Sequence, residues 1–201
     1  MKGGRVVMAY GKSNSGKTQL AMQSVLCASR EKKKSLFIDT EGTFRPERIE
    51  EMAISRGWDT ESLLSRITYL RCSSSGMQME AVRHISKRRD TFDCEVVVID
   101  TLTKNFTLDL PGSENMQNRQ GVLDVHLSEI SRDAFLYGRA YLLTNRVTFD
   151  RAGLDAGIGG STVAQLVHDL LHLVREAGRV KVTCVGTLQT TQVPIGRSGL
   201  G

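Results

Sequence analysis

Apolar positions along the chain switch between two periods. Short runs rich in β-branched residues recur at Val6-Val7, Leu36-Phe37-Ile38, Ile67-Thr68-Tyr69-Leu70, Val96-Val97-Val98-Ile99 and Ala140-Tyr141-Leu142-Leu143, and again over residues 170–174 and 180–185. Between the earlier runs, residues 18–30, 46–56, 77–88 and about 117–135 carry apolar side chains at helical spacing. Runs of the first kind predict buried strands, and segments of the second predict amphipathic helices. Their alternation predicts an α/β fold, a mostly parallel twisted sheet flanked by helices, with ligands at the carboxyl ends of the strands. Residues 175–179 alone separate the last two runs, which predicts an antiparallel hairpin at the C-terminal edge. Residues 103–115, with Pro111-Gly112, and residues 147–160, with scattered glycines, fit neither period. Loops of that length inside a compact domain are usually functional or mobile.

At 201 residues the expectation is one domain spanning 1–201. Apolar content of 40%, charged content of 24% and a mean hydropathy of −0.21 fit a soluble globular protein. No apolar run approaches the ~20 residues of a membrane span. The first residues lead into a strand, so neither a signal peptide nor a membrane partner is expected and the chain reads as cytoplasmic. Cys27, Cys72, Cys94 and Cys184 lack the spacing of a zinc site and are expected as four buried, reduced thiols. The net charge of +5 and pI near 9.2 permit nucleic-acid binding without demonstrating it. The basic runs, residues 30–34 and 83–89, fall at predicted helix ends, where cations also complement the helix dipole.

The chemistry is concentrated in residues 11–18, where Gly11, Lys12, Ser13, Asn14, Ser15, Gly16, Lys17 and Thr18 form a complete G-x-x-x-x-G-K-T loop between a strand and a helix. Glycines let backbone N–H groups close around phosphates, Lys17 reaches the β/γ oxygens, and Thr18 offers a hydroxyl to Mg²⁺. The run at 96–99 ends in Asp100, the pattern of a strand whose carboxylate holds Mg²⁺ through water. A second acidic strand end, Ser35-Leu36-Phe37-Ile38-Asp39-Thr40-Glu41, places Glu41 near the same phosphates, where a carboxylate can orient and deprotonate a water. The cofactors expected from these residues are therefore a nucleoside triphosphate and Mg²⁺.

The segment Asp39-Thr40-Glu41-Gly42-Thr43-Phe44-Arg45-Pro46-Glu47-Arg48 resembles the signature of the RecA/RadA recombinase superfamily, in its archaeal and eukaryotic branch. Gly16-Lys17-Thr18-Gln19-Leu20, Val98-Ile99-Asp100, Leu143-Thr144-Asn145 and Gly159-Gly160 follow in the family's order. The resemblance covers nearly the whole chain and is closest to archaeal RadA paralogs of the RadB/RadC type. It implies a RecA-like ATPase core in which Glu41 is the water-activating base, Gln19 belongs to the nucleotide site and Arg48 stacks on adenine. It also puts the first DNA-binding loop at residues 103–115 and the second at 147–158.

Three departures modify this expectation. Recombinases carry an N-terminal helical domain and a linker whose hydrophobic motif docks on the next subunit. Here a strand begins near residue 5, so recombinase-type filament growth is not expected, and the oligomeric state is left open. The family's nucleotide-sensing glutamine is replaced by Arg146, a fixed cation able to contact a phosphate or to pair with a surface carboxylate such as Asp150. The loops are poor in charge and aromatics, with Arg151 in the second and Leu108-Asp109-Leu110-Pro111-Gly112-Ser113 in the first, so DNA contact should be weaker than in a recombinase. The resulting expectation is an ATP-binding, slowly hydrolysing modulator of homologous recombination, with a host RadA-type recombinase and single-stranded DNA as partners. The alternatives are a KaiC-like signalling ATPase without a DNA role and an ATP-binding adaptor without turnover.

Overall fold

The apolar runs become strands of the computed structural model, which describes residues 2–88, 93–149, 155–157, 163 and 165–201. Strands β1 (Val6–Gly11), β2 (Ser35–Asp39), β3 (Ile67–Arg71), β4 (Val96–Asp100) and β5 (Ala140–Phe149) alternate with helices α1 (Lys17–Arg30), α2 (Pro46–Ile54), α3 (Thr60–Leu64), α4 (Ser75–Lys87), α5 (Lys104–Asp109) and α6 (Met116–Tyr137). Then come β6 (Asp155–Gly157), β7 (Asp169–Glu176), β8 (Arg179–Cys184), β9 (Thr190–Gly196) and β10 (Gly199–Leu200). The strand order is β10-β9-β8-β7-β1-β5-β4-β2-β3, with β6 paired to β5. From β3 to β7 every neighbouring pair is parallel, and from β7 to β10 every pair is antiparallel. This is the RecA-like α/β architecture expected from the sequence.

Successive strand residues point to opposite faces, and both faces of this sheet are covered. Met8, Leu36, Ile38, Val97, Ile99, Tyr141 and Leu143 pack on one side with α4, α5 and α6. Ala9, Phe37, Val96, Val98, Ala140 and Leu142 pack on the other with α1, α2 and α3. All residues of β2 and β4 are buried, which explains why they read as unbroken apolar runs rather than alternating ones.

Residues 103–115 are not wholly irregular, because α5 forms there and buries Phe106. Of residues 147–160, β5 continues to Phe149 and β6 pairs back onto it, while 150–154 and 158–160, with Arg151 and the Gly159-Gly160 pair, lie outside the described residues. Strand β9 contains Pro194, which explains its weak signature; it continues the antiparallel edge beyond the hairpin that the sequence predicts. The four cysteines are free, but only Cys72 and Cys94 are buried. Cys27 is exposed because α1 buries Ala21, Met22, Val25, Leu26 and Ala28 and turns Cys27 outward. Among the described residues no helix is long and apolar enough to cross a membrane.

One buried polar network ties α4, α6 and the start of β5 together. Asp133 accepts from Arg139 Nη1 at 2.7 Å and from Tyr141 OH at 2.6 Å, while the Arg139 guanidinium also donates to the carbonyls of Cys94 and Ile85. Removing one partner of a buried pair leaves the other charge uncompensated, at a cost of about 3–5 kcal/mol. Arg139→Met is therefore expected to lower stability by about that amount in urea unfolding. A loss below about 1 kcal/mol, the range of a surface pair, would mean that the network is dispensable.

Candidate nucleotide-binding site

Parallel strands deliver their carboxyl ends to one edge of the sheet, and β1, β5, β4 and β2 end there side by side. Register places Gly11 opposite Arg146 and Asp39 opposite Asp100. The loop after β1 turns into α1 through Gly16, whose φ of 98° lies in the left-handed region that favours glycine. At Gly11 a Cβ would come within 2.3 Å of the Leu173 carbonyl and 2.5 Å of Ser15 Oγ, so the backbone can pass there only without a side chain. Lys17 Nζ donates to the carbonyls of Gly11 and Lys12 at 2.9 and 2.8 Å and lies 3.4 Å from Ser15 Oγ, which holds the ammonium at the loop. Burial pushes Lys17 below its ordinary pKa and the charge of Arg146 adds to this, against the carboxylates of Asp100 and Glu41.

Thr18 Oγ1 donates to Asp100 Oδ2 at 2.8 Å, and Thr144 Oγ1 donates to Asp100 Oδ1. Asp100 is 2% exposed; its burial raises the carboxyl pKa and the two hydroxyls oppose that rise. A hydroxyl and a carboxylate are hard oxygen donors, the kind Mg²⁺ takes when phosphates and waters complete its shell. Among the described residues no group of three His, Cys, Asp or Glu could hold a metal unaided. The donor set thus fits a magnesium ion that arrives with a nucleotide.

Glu41 is placed by a ring of hydrogen bonds around Asp39. The buried Asp39 carboxylate accepts from the backbone N–H groups of Glu41, Gly42 and Phe44 at 2.9, 2.7 and 3.1 Å, and from Tyr69 OH at 3.3 Å. Glu41 Oε1 then accepts from Thr101 Oγ1 at 2.7 Å and from Arg146 Nη2 at 2.9 Å. Partial burial alone would raise the Glu41 carboxyl, but these bonds, with the charges of Arg146 and Lys104, outweigh it and hold the group below the usual carboxylate range. Arg146 thus forms an ion pair with Glu41, while Asp150 lies outside the described residues.

Arg48 is brought to α1 but not left free. Its Nε donates to Gln19 Oε1 at 2.8 Å, its Nη1 pairs with Glu51 at 2.7 Å and reaches the Arg197 carbonyl at 3.2 Å, and its Nη2 donates to the Gly196 carbonyl. It clamps the segment between β9 and β10 onto α1 and α2. A cavity of about 220 Å³ beside residues 14–19 is also lined by Arg175 of β7 and Ile195 of β9. Sequence reasoning missed Arg175, because a cation near the end of a strand carries no local signal. It also missed the polar anchor of residues 102–105. There Gln78 Nε2 donates to the Leu102 carbonyl at 3.0 Å, and Asn105 Nδ2 donates to those of Cys72 and Ser74. Burial lowers the pKa of His126, 3.2 Å from Gln78, to about 3, so this anchor is uncharged.

A family model described as Rad51 matches residues 1–189. The chain is similar to the "DNA repair and recombination protein RadA" of Ignicoccus hospitalis, with 33% identity over 174 residues, covering 81% of this chain and 52% of that protein. It is also similar to the "Meiotic recombination protein DMC1" of Saccharomyces cerevisiae, with 34% identity over 153 residues, covering 72% of this chain and 45% of that protein. The chain spans about half the length of these curated relatives.

Two variants test the site. Lys17→Ala removes the side-chain cation expected on the β/γ-phosphates and should abolish ATP binding in a titration; retained affinity would remove residues 11–18 from the site. Glu41→Gln should keep ATP bound while slowing its turnover by roughly 10²- to 10⁴-fold, the usual contribution of general acid–base catalysis. Unchanged turnover would make Glu41 a bystander.

Proposed function

The chain belongs to the Rad51 family, within the RecA/RadA recombinase superfamily, and from that premise we propose that it is an ATP-binding, slowly hydrolysing recombinase paralog. In this reading it modulates homologous recombination and DNA repair by binding a RadA-type recombinase, single-stranded DNA, or both. The observation that carries it is the Thr18–Asp100–Thr144 hydrogen-bonded chain, set between Lys17 and Glu41 at neighbouring strand ends. Lys17 and the N-terminus of α1 would bind and orient the phosphates, and Thr18 and Asp100 would hold Mg²⁺. Magnesium, when bound, neutralises charge developing on the β/γ oxygens. Glu41 orients the attacking water and takes its proton. Slow turnover is supported by the hydrogen bond from Thr101, which makes Glu41 a weaker base.

The partner reading is supported by the other side of the sheet. Strand β3 pairs only with β2 among the described residues, and Tyr69, Leu70 and Met77 are exposed there. An apolar cavity of about 440 Å³ opens beside this edge, lined by Leu36, Leu70, Cys72, Met77, Ala81 and Ile85. A free strand edge beside an apolar pocket suits an extended segment that adds a strand and inserts a hydrophobic side chain. The occupant proposed is the hydrophobic linker motif of a RadA-type recombinase. DNA binding in this reading is sequence-tolerant and salt-sensitive, resting on charge rather than base-edge contacts.

Pull-down with the host recombinase, with and without ATP and an oligothymidine strand, tests the reading. Retention of the recombinase by the wild type and its loss in Leu70→Glu are expected. A recombinase not retained under any of these conditions would overturn the partner assignment, and equal retention by Leu70→Glu would remove the β3 edge from it.

A further inference from the structure

Glu41 and Arg146 form the one ion pair in the structure that joins the proposed water-activating base to a cation facing the phosphate loop, among the described residues. Arg146 stands opposite Gly11 in register, where the loop begins. Its charge depresses Lys17, so the two cations repel each other at the same place, and an anion between them would relieve that repulsion. Thr101 Oγ1 and Arg146 Nη2 both donate to a single oxygen, Oε1 of Glu41, so Glu41 keeps a hydrogen-bond donor if Arg146 leaves. The Arg146 side chain is 57% exposed and that of Glu41 23%, which makes the pair half-solvated and open to exchange. A terminal phosphate carries more charge than a carboxylate and accepts two guanidinium bonds at once, the stronger arrangement for arginine.

We propose that Arg146 is an exchangeable ligand, bound to Glu41 until the terminal phosphate of a nucleoside triphosphate displaces the carboxylate from it. Binding the triphosphate and releasing the base are then one event. A diphosphate, which ends short of this position, leaves the Glu41–Arg146 pair closed. Lys104, which donates to the Thr40 carbonyl at 3.2 Å and whose charge reaches Glu41, stays beside the carboxylate after Arg146 departs and keeps it ionised. The inference rests on the nucleotide-site reading above and adds to it a competition between two anions for one guanidinium.

Competition predicts non-additivity, which a double-mutant cycle isolates. Calorimetric titration with ATP and with ADP, in the presence of Mg²⁺, is to be run on the wild type, Glu41→Gln, Arg146→Gln and the double variant. Glu41→Gln should tighten ATP binding by about tenfold when Arg146 is present, within the usual range for coupled sites, and by less than about twofold in the Arg146→Gln background. ADP affinity should change little in any of them. Arg146→Lys keeps the charge and should restore part of the tightening, which separates exchange from a folding defect. Equal tightening in both backgrounds would mean that Glu41 acts only as a nearby negative charge, which overturns the exchange and leaves the nucleotide site standing. No ATP binding by the wild type would overturn the nucleotide site, and the exchange with it.

Discussion

The rest of the site depends on the carboxylate of Asp100 being held between two hydroxyls. Thr18 belongs to α1 and Thr144 to β5, and both end on Asp100 at the tip of β4. Such a buried carboxylate would drift toward the neutral acid without donors, and burial does raise its pKa. The hydroxyls oppose that rise, and in doing so they fix the first turn of α1 against the strand ends. Lys17 is the residue before Thr18, and Thr101 the residue after Asp100. The ammonium and the hydroxyl that reaches Glu41 are therefore positioned by the same two bonds. Asp39 performs a related task on the neighbouring strand, gathering three backbone N–H groups so that Glu41 turns toward Thr101.

Much of this arrangement is legible in the amino-acid sequence, for reasons that are local. A G-x-x-x-x-G-K-T loop between a strand and a helix leaves few geometries open, and an apolar run ending in Asp100 states which end of the sheet carries the charge. The inner strands stand out because burial on both faces writes itself as a continuous apolar run. Three strands do not: β6 and β10 are very short, and β9 carries Thr190, Thr191, Gln192 and Pro194, polar and ring-bearing residues tolerated only because that strand lies near the sheet's edge. Helix α5 is hidden for a similar reason, since its short span buries only Asn105 and Phe106 and leaves Leu108 exposed.

Long-range partners are harder to see than elements. Nothing in the local sequence says that Arg146 meets Glu41, 105 residues away in the chain. The identity of Arg146 announces a cation at the strand end, while the choice of partner comes from the parallel register that lines up β1, β5, β4 and β2. The same holds for Arg48. Its place in the signature segment suggests a ring to stack on, yet its guanidinium is taken up by Gln19, Glu51 and the carbonyls of Gly196 and Arg197. Any base bound beside α1 would therefore meet Arg48 as part of a clamp, already oriented by the C-terminal strands.

The strand order also governs how the chain can be made. β2, β3 and β4 are consecutive in sequence and adjacent in the sheet, so they can pair as soon as residue 100 has been synthesised. β1 precedes these strands in the chain, but its two neighbours are β5 and β7, beginning at Ala140 and Asp169. Until then a strand bearing Val6, Val7 and Met8 has neither edge satisfied, and the phosphate loop at its end has no floor. An unpaired apolar strand of this kind is the feature that draws nascent chains into aggregates or onto chaperones. Vectorial synthesis thus leaves β1 waiting for β5 and β7 while β2, β3 and β4 are already able to pair.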